Sequence, residues 1–184
     1  MSVKYRFKRA DTEGEFERIF RLLHSVFADE LGQYSSRPSA RLVDKFHHKN
    51  LYLIALAGDE IVGLISLHDQ PPFSVAGKLA DPSILDRYGR LIEIRLLAVE
   101  PAHRNGLVMA GLMNEVYEYA RAYDAIVISG HVDKARLYRR LGFRDLGPPV
   151  LSGTAEYLPM IAPAAAPAGL QSRWRQRHHA PSKA

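Results

Sequence analysis

The chain runs to 184 residues with a net charge of +5 and no cysteine. That length suits a single domain that buries its own core, and the missing cysteine rules out disulfides, thiolate metal ligands and a cysteine nucleophile. The positive excess lies beyond Ile161, in Arg173, Arg175, Arg177 and Lys183 with no acid among them. The remainder is nearly neutral and carries no basic stripe that would track a nucleic acid.

In chain order, Val3 to Arg9 alternates and reads as an edge strand. Glu13 to Ala28 predicts the first helix, with Ile19, Leu22, Leu23, Val26 and Phe27 as its apolar stripe. Ser39 can cap a second short helix through Phe46. Leu51 to Ala57 and Ile61 to Leu67 are strands joined by the hairpin turn "GDE". Asp69 to Arg90 is a long insertion carrying Pro71, Pro72 and Pro82. Loops of that length are uncommon in compact domains and are often functional. Within it, "DPSILDRYG" predicts a helical turn with Asp81 as cap and Pro82 at the first position.

Leu91 to Val99 is too apolar to have one solvated face and reads as a buried strand. Gly106 to Arg121 is a long helix with Val108, Leu112, Val116 and Tyr119 on one stripe. Ala125 to Ser129 is a short buried strand, and Asp133 caps a helix from Lys134 to Leu141 that Gly142 stops. Phe143 to Met160 reads as two short strands around "GPP". From Pro163 on the chain is Ala/Pro-rich and then basic, with little to bury, which predicts disorder. No apolar run approaches the roughly 20 residues that span a bilayer. The N-terminus has no apolar signal-peptide core. A cytoplasmic location is the expectation.

Leu91 to Met113, "LIEIRLLAVEPAHRNGLVMAGLM", joins strand, basic turn and helix. A helix N-terminus offers free N–H groups and the positive end of a dipole. Arg104 adds a full charge beside it, and phosphate is the usual occupant of such a site. Neither GxxxxGK[ST] nor GxGxxG is present, so a phosphate-bearing carrier of another kind is expected. Glu93 in an apolar strand needs a reason. It either works on a substrate or pairs with Arg95, two residues on and on the same face. The adjacent pairs His47–His48 and His178–His179 do not share a helical face, and no metal site is expected. Ser129 lacks a G-x-S-x-G elbow and reads as a polar strand end; His131 reads as a solvated loop residue or as a second titrating group near the splayed strands.

"LLAVEPAHRNG…AGLM" followed by "ARLYRRLGFRDLG" resembles the GNAT superfamily of acyltransferases. In that family a central strand ends in V-x-P, then x-x-R, then a Gly-rich turn that cradles the pyrophosphate of acyl-CoA. A later helix carries Tyr and ends in L-G-F. Val99, Pro101, Arg104, Leu112, Tyr138, Leu141, Gly142 and Phe143 fall on those positions. The "EIRLLAV" strand, the insertion before it and the "LYRRLGFRDLGPPV…YLPM" ending are similar to a subgroup that makes N-acyl amino acids or acyl-homoserine lactones.

The resemblance implies an α+β GNAT fold, a mixed central sheet covered by helices on both faces in three layers (αβα). Residues 1–160 would form the acyltransferase domain and residues 161–184 a disordered Ala/Pro-rich basic tail. It implies an N-acyltransferase that moves an acyl group from a phosphopantetheine thioester, acyl-CoA or acyl-carrier protein, to a small-molecule amine such as an amino acid. Transfer would be direct, in a ternary complex, without a metal. Glu93 would be the base, or structural. Tyr138 would donate a proton near the thioester sulfur, or be a half-buried aromatic of an amphipathic helix. Leu97, Ala98, Val99, Arg104, Asn105, Gly106, Leu107, Val108 and Met109 would surround the donor. The rival reading is a GNAT-like domain that binds acyl-pantetheine or a partner protein without catalysing transfer.

One departure bears on the donor. The family turn is R-x-x-G-x-G/A, whereas this chain has Leu107 and Met109 at the glycine positions and Gly106 one place early. Glycine lets a backbone approach a phosphate closely, so weaker recognition of a pyrophosphate is expected, and a carrier protein with a single phosphodiester becomes a candidate donor. The insertion's Phe73, Val75, Leu79, Ile84, Leu85 and Tyr88 are expected to cover an alkyl chain.

Overall fold

The computed structural model describes residues 3–165. Eight strands form one sheet: β1 (Tyr5–Arg9), β2 (Leu51–Ala57), β3 (Glu60–His68), β4 (Leu91–Val99), β5 (Ala125–His131), β6 (Arg144–Asp145), β7 (Val150–Ser152) and β8 (Ala155–Pro163). Their order is β1-β2-β3-β4-β5-β8-β6, with β7 paired to β8. Only β4 and β5 run parallel. The middle strands are apolar on both sides because both faces of the sheet are covered.

On one face lies α1 (Glu13–Leu23), started by a capping box in which Thr12 Oγ1 accepts from the Glu15 N–H and Glu15 accepts from the Thr12 N–H. Its Ile19, Phe20 and Leu23 pack on Tyr52, Ile54, Leu64 and Ala98. Each fully buried aliphatic side chain there contributes about 1.5–3 kcal/mol. The opposite face carries α2 (Leu107–Ala120) and α3 (Ala135–Arg140), with Val108, Leu112 and Val116 against Ile65, Ile92 and Ile126. Gly111 lets α2 settle on β1, since a Cβ there would stand 2.0 Å from the Phe7 ring. The result is the three-layer α+β arrangement that the sequence implied.

Residues 69–90 fold against β5 and β8 as two 3-10 helices, Ser74–Lys78 and Pro82–Tyr88, the second capped by Asp81 accepting from the Ser83 N–H at 3.0 Å. Val75 and Leu85 pack with Leu91, Val127 and Ile161 into a small core of their own. Of the side chains expected to cover an alkyl chain, Val75 and Leu85 are buried in this core and Phe73, Leu79, Ile84 and Tyr88 pack against it partly exposed.

Three local expectations also change. The first helix passes at His24 into a π-helix through Glu30, where Leu31 N–H bonds to Val26 O and His24 Nδ1 reaches Asp29 at 3.1 Å. No helix forms over residues 39–46. There the Leu42 N–H pairs with Phe20 O, and Asp44 turns inward to Arg95 and Asn50, tertiary bonds that outweigh a weak capping signal. Beyond Phe143 there are three strands rather than two, and β8 continues through Pro163, with Ile161 only 2% exposed and Ala164 N–H bonded to Asp124 O. Residues 161–163 thus belong to the sheet. The rest of the expected tail, from residue 166, lies outside the described residues.

Candidate active site at the parting of two strands

β4 and β5 pair only through Leu91–Ile94 and Ala125–Ile128, although β4 runs on to Val99 and β5 to His131. A bulge in β4 accompanies the parting. The register with β3 passes from Ser66↔Arg95 to Leu64↔Ala98, so Ile65 faces two residues, and Leu96 adopts φ 51°. Positive φ is uncommon for a leucine, and an extra residue bends the strand away from its neighbour. Between the parted strands opens a cleft of about 780 Å3. The bulge also resets the alternation: Arg95 and Leu96 face the α1 side, and Leu97 faces α2.

The α2–α3 side of the cleft is lined by Leu97, Leu137 and Tyr138. Gly130 makes room for Tyr138, because a Cβ there would meet the ring at 2.5 Å. Burial pushes the Tyr138 phenol above its ordinary pKa, with the His131 backbone N–H pulling the other way. The net shift is upward, so the group arrives protonated.

The turn after β4 lies apart from this lining. Gly106, at φ 85°, swings the chain into α2, and Asn105 Oδ1 accepts from the Leu107 N–H at 3.0 Å. Arg104 does not stand free. Its Nε donates to Val99 O at 2.9 Å, and its two terminal nitrogens hold Glu30. Val108 is fully buried and Met109 partly so, both against the core on the α2 side, while Ala98 is buried on the α1 side. Of the nine residues read as donor-binding, Leu97 alone lines the cleft with Tyr138.

The opposite side of the cleft sets polar and cationic groups among the apolar Phe27, Leu31 and Leu96. Arg95, Lys45, Lys78 and Ser74 line it, with Ser129 and His131 from β5. Arg95 does not pair with Glu93; its Nη2 donates to Asp44 Oδ1 at 3.1 Å, and its guanidinium lies 4.5 Å from the Phe46 ring centroid. His131 lines the cleft rather than a solvated loop, with Nδ1 accepting from the Asp133 N–H. Ser129 Oγ is buried without a partner. Lys45, Ser74 and Lys78 carry no signal in the sequence beyond being polar, the last two within the insertion and Lys45 in the loop before β2. Arg95 does have one, a cation in a buried strand, but the sequence offers it only as one possible partner of Glu93.

Glu93 is fully buried and lies outside the cleft lining. Its Oε2 accepts from the Ser74 N–H at 2.7 Å, and its Oε1 from Ser74 Oγ at 2.7 Å and the Val75 N–H at 2.8 Å. His68 Nε2 stands 2.8 Å from Oε2, off the line of a straight hydrogen bond. Burial alone would raise the Glu93 carboxyl, but His68, the Ser74 hydroxyl and the two N–H groups outweigh it and hold the pKa below the ordinary value. A carboxylate so engaged is a clamp on the insertion and is badly placed to take a proton. Among the described residues no group of three His, Asp or Glu side chains could hold a metal ion, and no helix is long and apolar enough to cross a membrane.

A family model described as N-acyl amino acid synthase FeeM matches residues 18–163. No curated protein sequence matches the chain. Among solved structures, the CoA-dependent acyl-homoserine lactone synthase BjaI, with SAM and isopentyl-CoA, superposes with a TM-score of 0.76 at 20% identity, covering 97% of this chain and 92% of that one. FeeM, an N-acyl amino acid synthase from uncultured soil microbes, gives 0.66 at 14% identity over 93% and 95%. An N-acetyltransferase structure from Lactobacillus plantarum gives 0.66 at 15% over 87% and 98%. These likenesses show a shared fold.

Proposed function

The chain belongs to the FeeM family of N-acyl amino acid synthases, and on that premise we propose that it transfers an acyl group from a phosphopantetheine thioester to the α-amine of an amino acid. The observation that carries this reading is the cleft itself: one opening between β4 and β5 joins an apolar side bearing Tyr138 to a cationic side bearing Arg95 and Lys78. The thioester enters from the α2–α3 side and the amine from the other. Holding both in one gap converts a bimolecular step into a local one. The amine nitrogen attacks the thioester carbon, and the β4 edge freed past the bulge offers N–H groups to the developing oxyanion. Collapse expels the thiolate, which takes its proton from Tyr138. The amine's proton passes to water on the acceptor side, water returns a proton to the Tyr138 phenolate, and Glu93 acts by holding Ser74 and the insertion in place.

The turn before α2 favours a carrier-protein donor. Arg104 is shared with Glu30 and the Leu107 N–H is capped by Asn105, so fewer donors face an incoming phosphate than a pyrophosphate demands. Thiol release from acetyl-CoA, decanoyl-CoA and decanoyl-carrier protein, each with and without amino acids, tests this. Amino-acid-dependent release, fastest from the carrier protein, is expected. Release indifferent to amino acids would overturn the acceptor assignment, and a preference for acetyl-CoA the donor assignment.

A further inference from the structure

We infer that Arg95 and Lys78 together form the subsite that receives the carboxylate of the acceptor. This rests on the proposed amino-acid acylation and names the groups that would select its acceptor. Arg95 is nearly enclosed, with 12% of its side chain exposed. Half of its fork is spoken for, Nη2 by Asp44 Oδ1 at 3.1 Å. Nη1 is buried without any partner. A buried guanidinium N–H left unpaired is costly, and a planar carboxylate is the acceptor that its geometry fits.

Lys78 comes to the same cleft from the insertion, on the 3-10 helix whose first residue, Ser74, is clamped by Glu93. Its ammonium lies 5.1 Å from the Tyr157 ring centroid. No carboxylate among the described residues stands within ion-pair distance of it. Lys45 adds a third cation at the rim. Of the acids nearby, Asp44 is committed to Arg95 and Asn50 and Glu93 to Ser74, Val75 and His68, while Asp133, which also lines the cleft, stands 3.4 Å from His131 with most of its side chain in solvent. The chamber therefore holds uncompensated positive charge on the face opposite Tyr138, where an α-amino acid could fix its carboxylate and leave its amine toward the gap. The donor's phosphate is the other anion in the reaction, but its expected turn is at the start of α2, outside this lining.

The test compares wild type with Lys78→Met, which removes a charge, and Arg95→Lys, which keeps a cation for Asp44 but deletes the free Nη1. Each is assayed with the amino acid that is acylated fastest and with that amino acid's amide. A hydrogen bond to a charged group implies a loss of roughly tenfold to a hundredfold in kcat/KM for the acid. The preference for acid over amide should collapse by the same factor, while the donor KM stays within about twofold. A merely structural role would lower acid and amide alike and leave their ratio intact, which overturns the inference. So would a rise in donor KM instead, which assigns the cations to the donor's phosphate. If wild type acylates no amino acid, the acylation reading fails, and ligand-observed NMR with L-leucine and L-leucinamide decides the subsite. Leucine binding that weakens in Lys78→Met while leucinamide binding does not would support the subsite. Equal binding to both proteins, or none, would overturn it.

Discussion

Arg104 and Glu30 close a two-pronged ion pair, 2.5 and 2.6 Å between nitrogen and oxygen, that ties the turn before α2 to the end of the π-helix. Both side chains are about two-fifths exposed, so the pair adds little stability, on the order of 1 kcal/mol or less. Its larger effect is competition, because Glu30 occupies the fork that a donor phosphate would use. Glu30→Gln should lower the donor KM severalfold and steepen its dependence on salt, and Arg104→Gln should raise it. If neither variant moves the donor KM, Arg104 is a bracket between two elements and not a phosphate ligand.

Glu93→Gln should act on stability first. The amide brings donors to a position already surrounded by donors, and breaking a buried charged network costs about 3–5 kcal/mol, which is roughly ten degrees or more in Tm for a domain of this size. Acceptor KM should rise as Ser74 and Lys78 shift. A Gln variant with the wild-type Tm and a loss of about 10²–10⁴ in kcat would return Glu93 to the role of base.

Tyr138→Phe should leave the fold intact and lower kcat by roughly 10², the low end of proton-transfer effects. The loss should shrink for thioesters whose thiol leaves more readily, since these need less protonation. Gly130→Ala should mimic it by a different route, pushing the ring aside at a packing cost of about 1–3 kcal/mol. A Phe variant with full activity on every thioester would remove Tyr138 from the chemistry.

Acid sensitivity should trace partly to Glu15. Burial works to raise its carboxyl, but the Asp11 N–H, the Lys8 ammonium 3.0 Å away and the Thr12 N–H hold it at about 2, against an ordinary 4.5. A folded pKa below the unfolded one gives stability that is fully present above about 4.5 and is lost as pH falls toward 2. Glu15→Gln should therefore be less stable than wild type at neutral pH, and the two Tm curves should converge on acidification. Parallel curves across that window would contradict the assignment.

The signals that could be read from the chain were local ones. The apolar stripe of Ile19, Leu22 and Leu23, Asp81 before Pro82, Gly58 in the β2–β3 hairpin and Gly142 after α3 act within a few residues of themselves, so periodicity and capping chemistry are enough. The site depended on long-range pairings. Glu93 meets Ser74 from 19 residues away and Arg104 meets Glu30 from 74, and no local pattern announces either. The bulge at Leu96 was hidden because leucine gives no hint of a positive φ; neighbouring strands impose it. Glu93 and Arg95 keep the regular alternation on one face, and what separates them is their distant partners, Asp44 for Arg95 from 51 residues away and Ser74 for Glu93.

The most direct measurement combines the purified protein, decanoyl-carrier protein and an equimolar mixture of the protein amino acids, with free thiol quantified and products weighed by mass spectrometry. N-decanoyl amino acid should form in step with thiol, none should form when the amino acids are replaced by their N-acetyl derivatives, and amino acid amides should be clearly disfavoured. Thiol released with decanoic acid as the sole acyl product, or no thiol released from this donor or from decanoyl-CoA, would contradict acyl transfer to an amino acid.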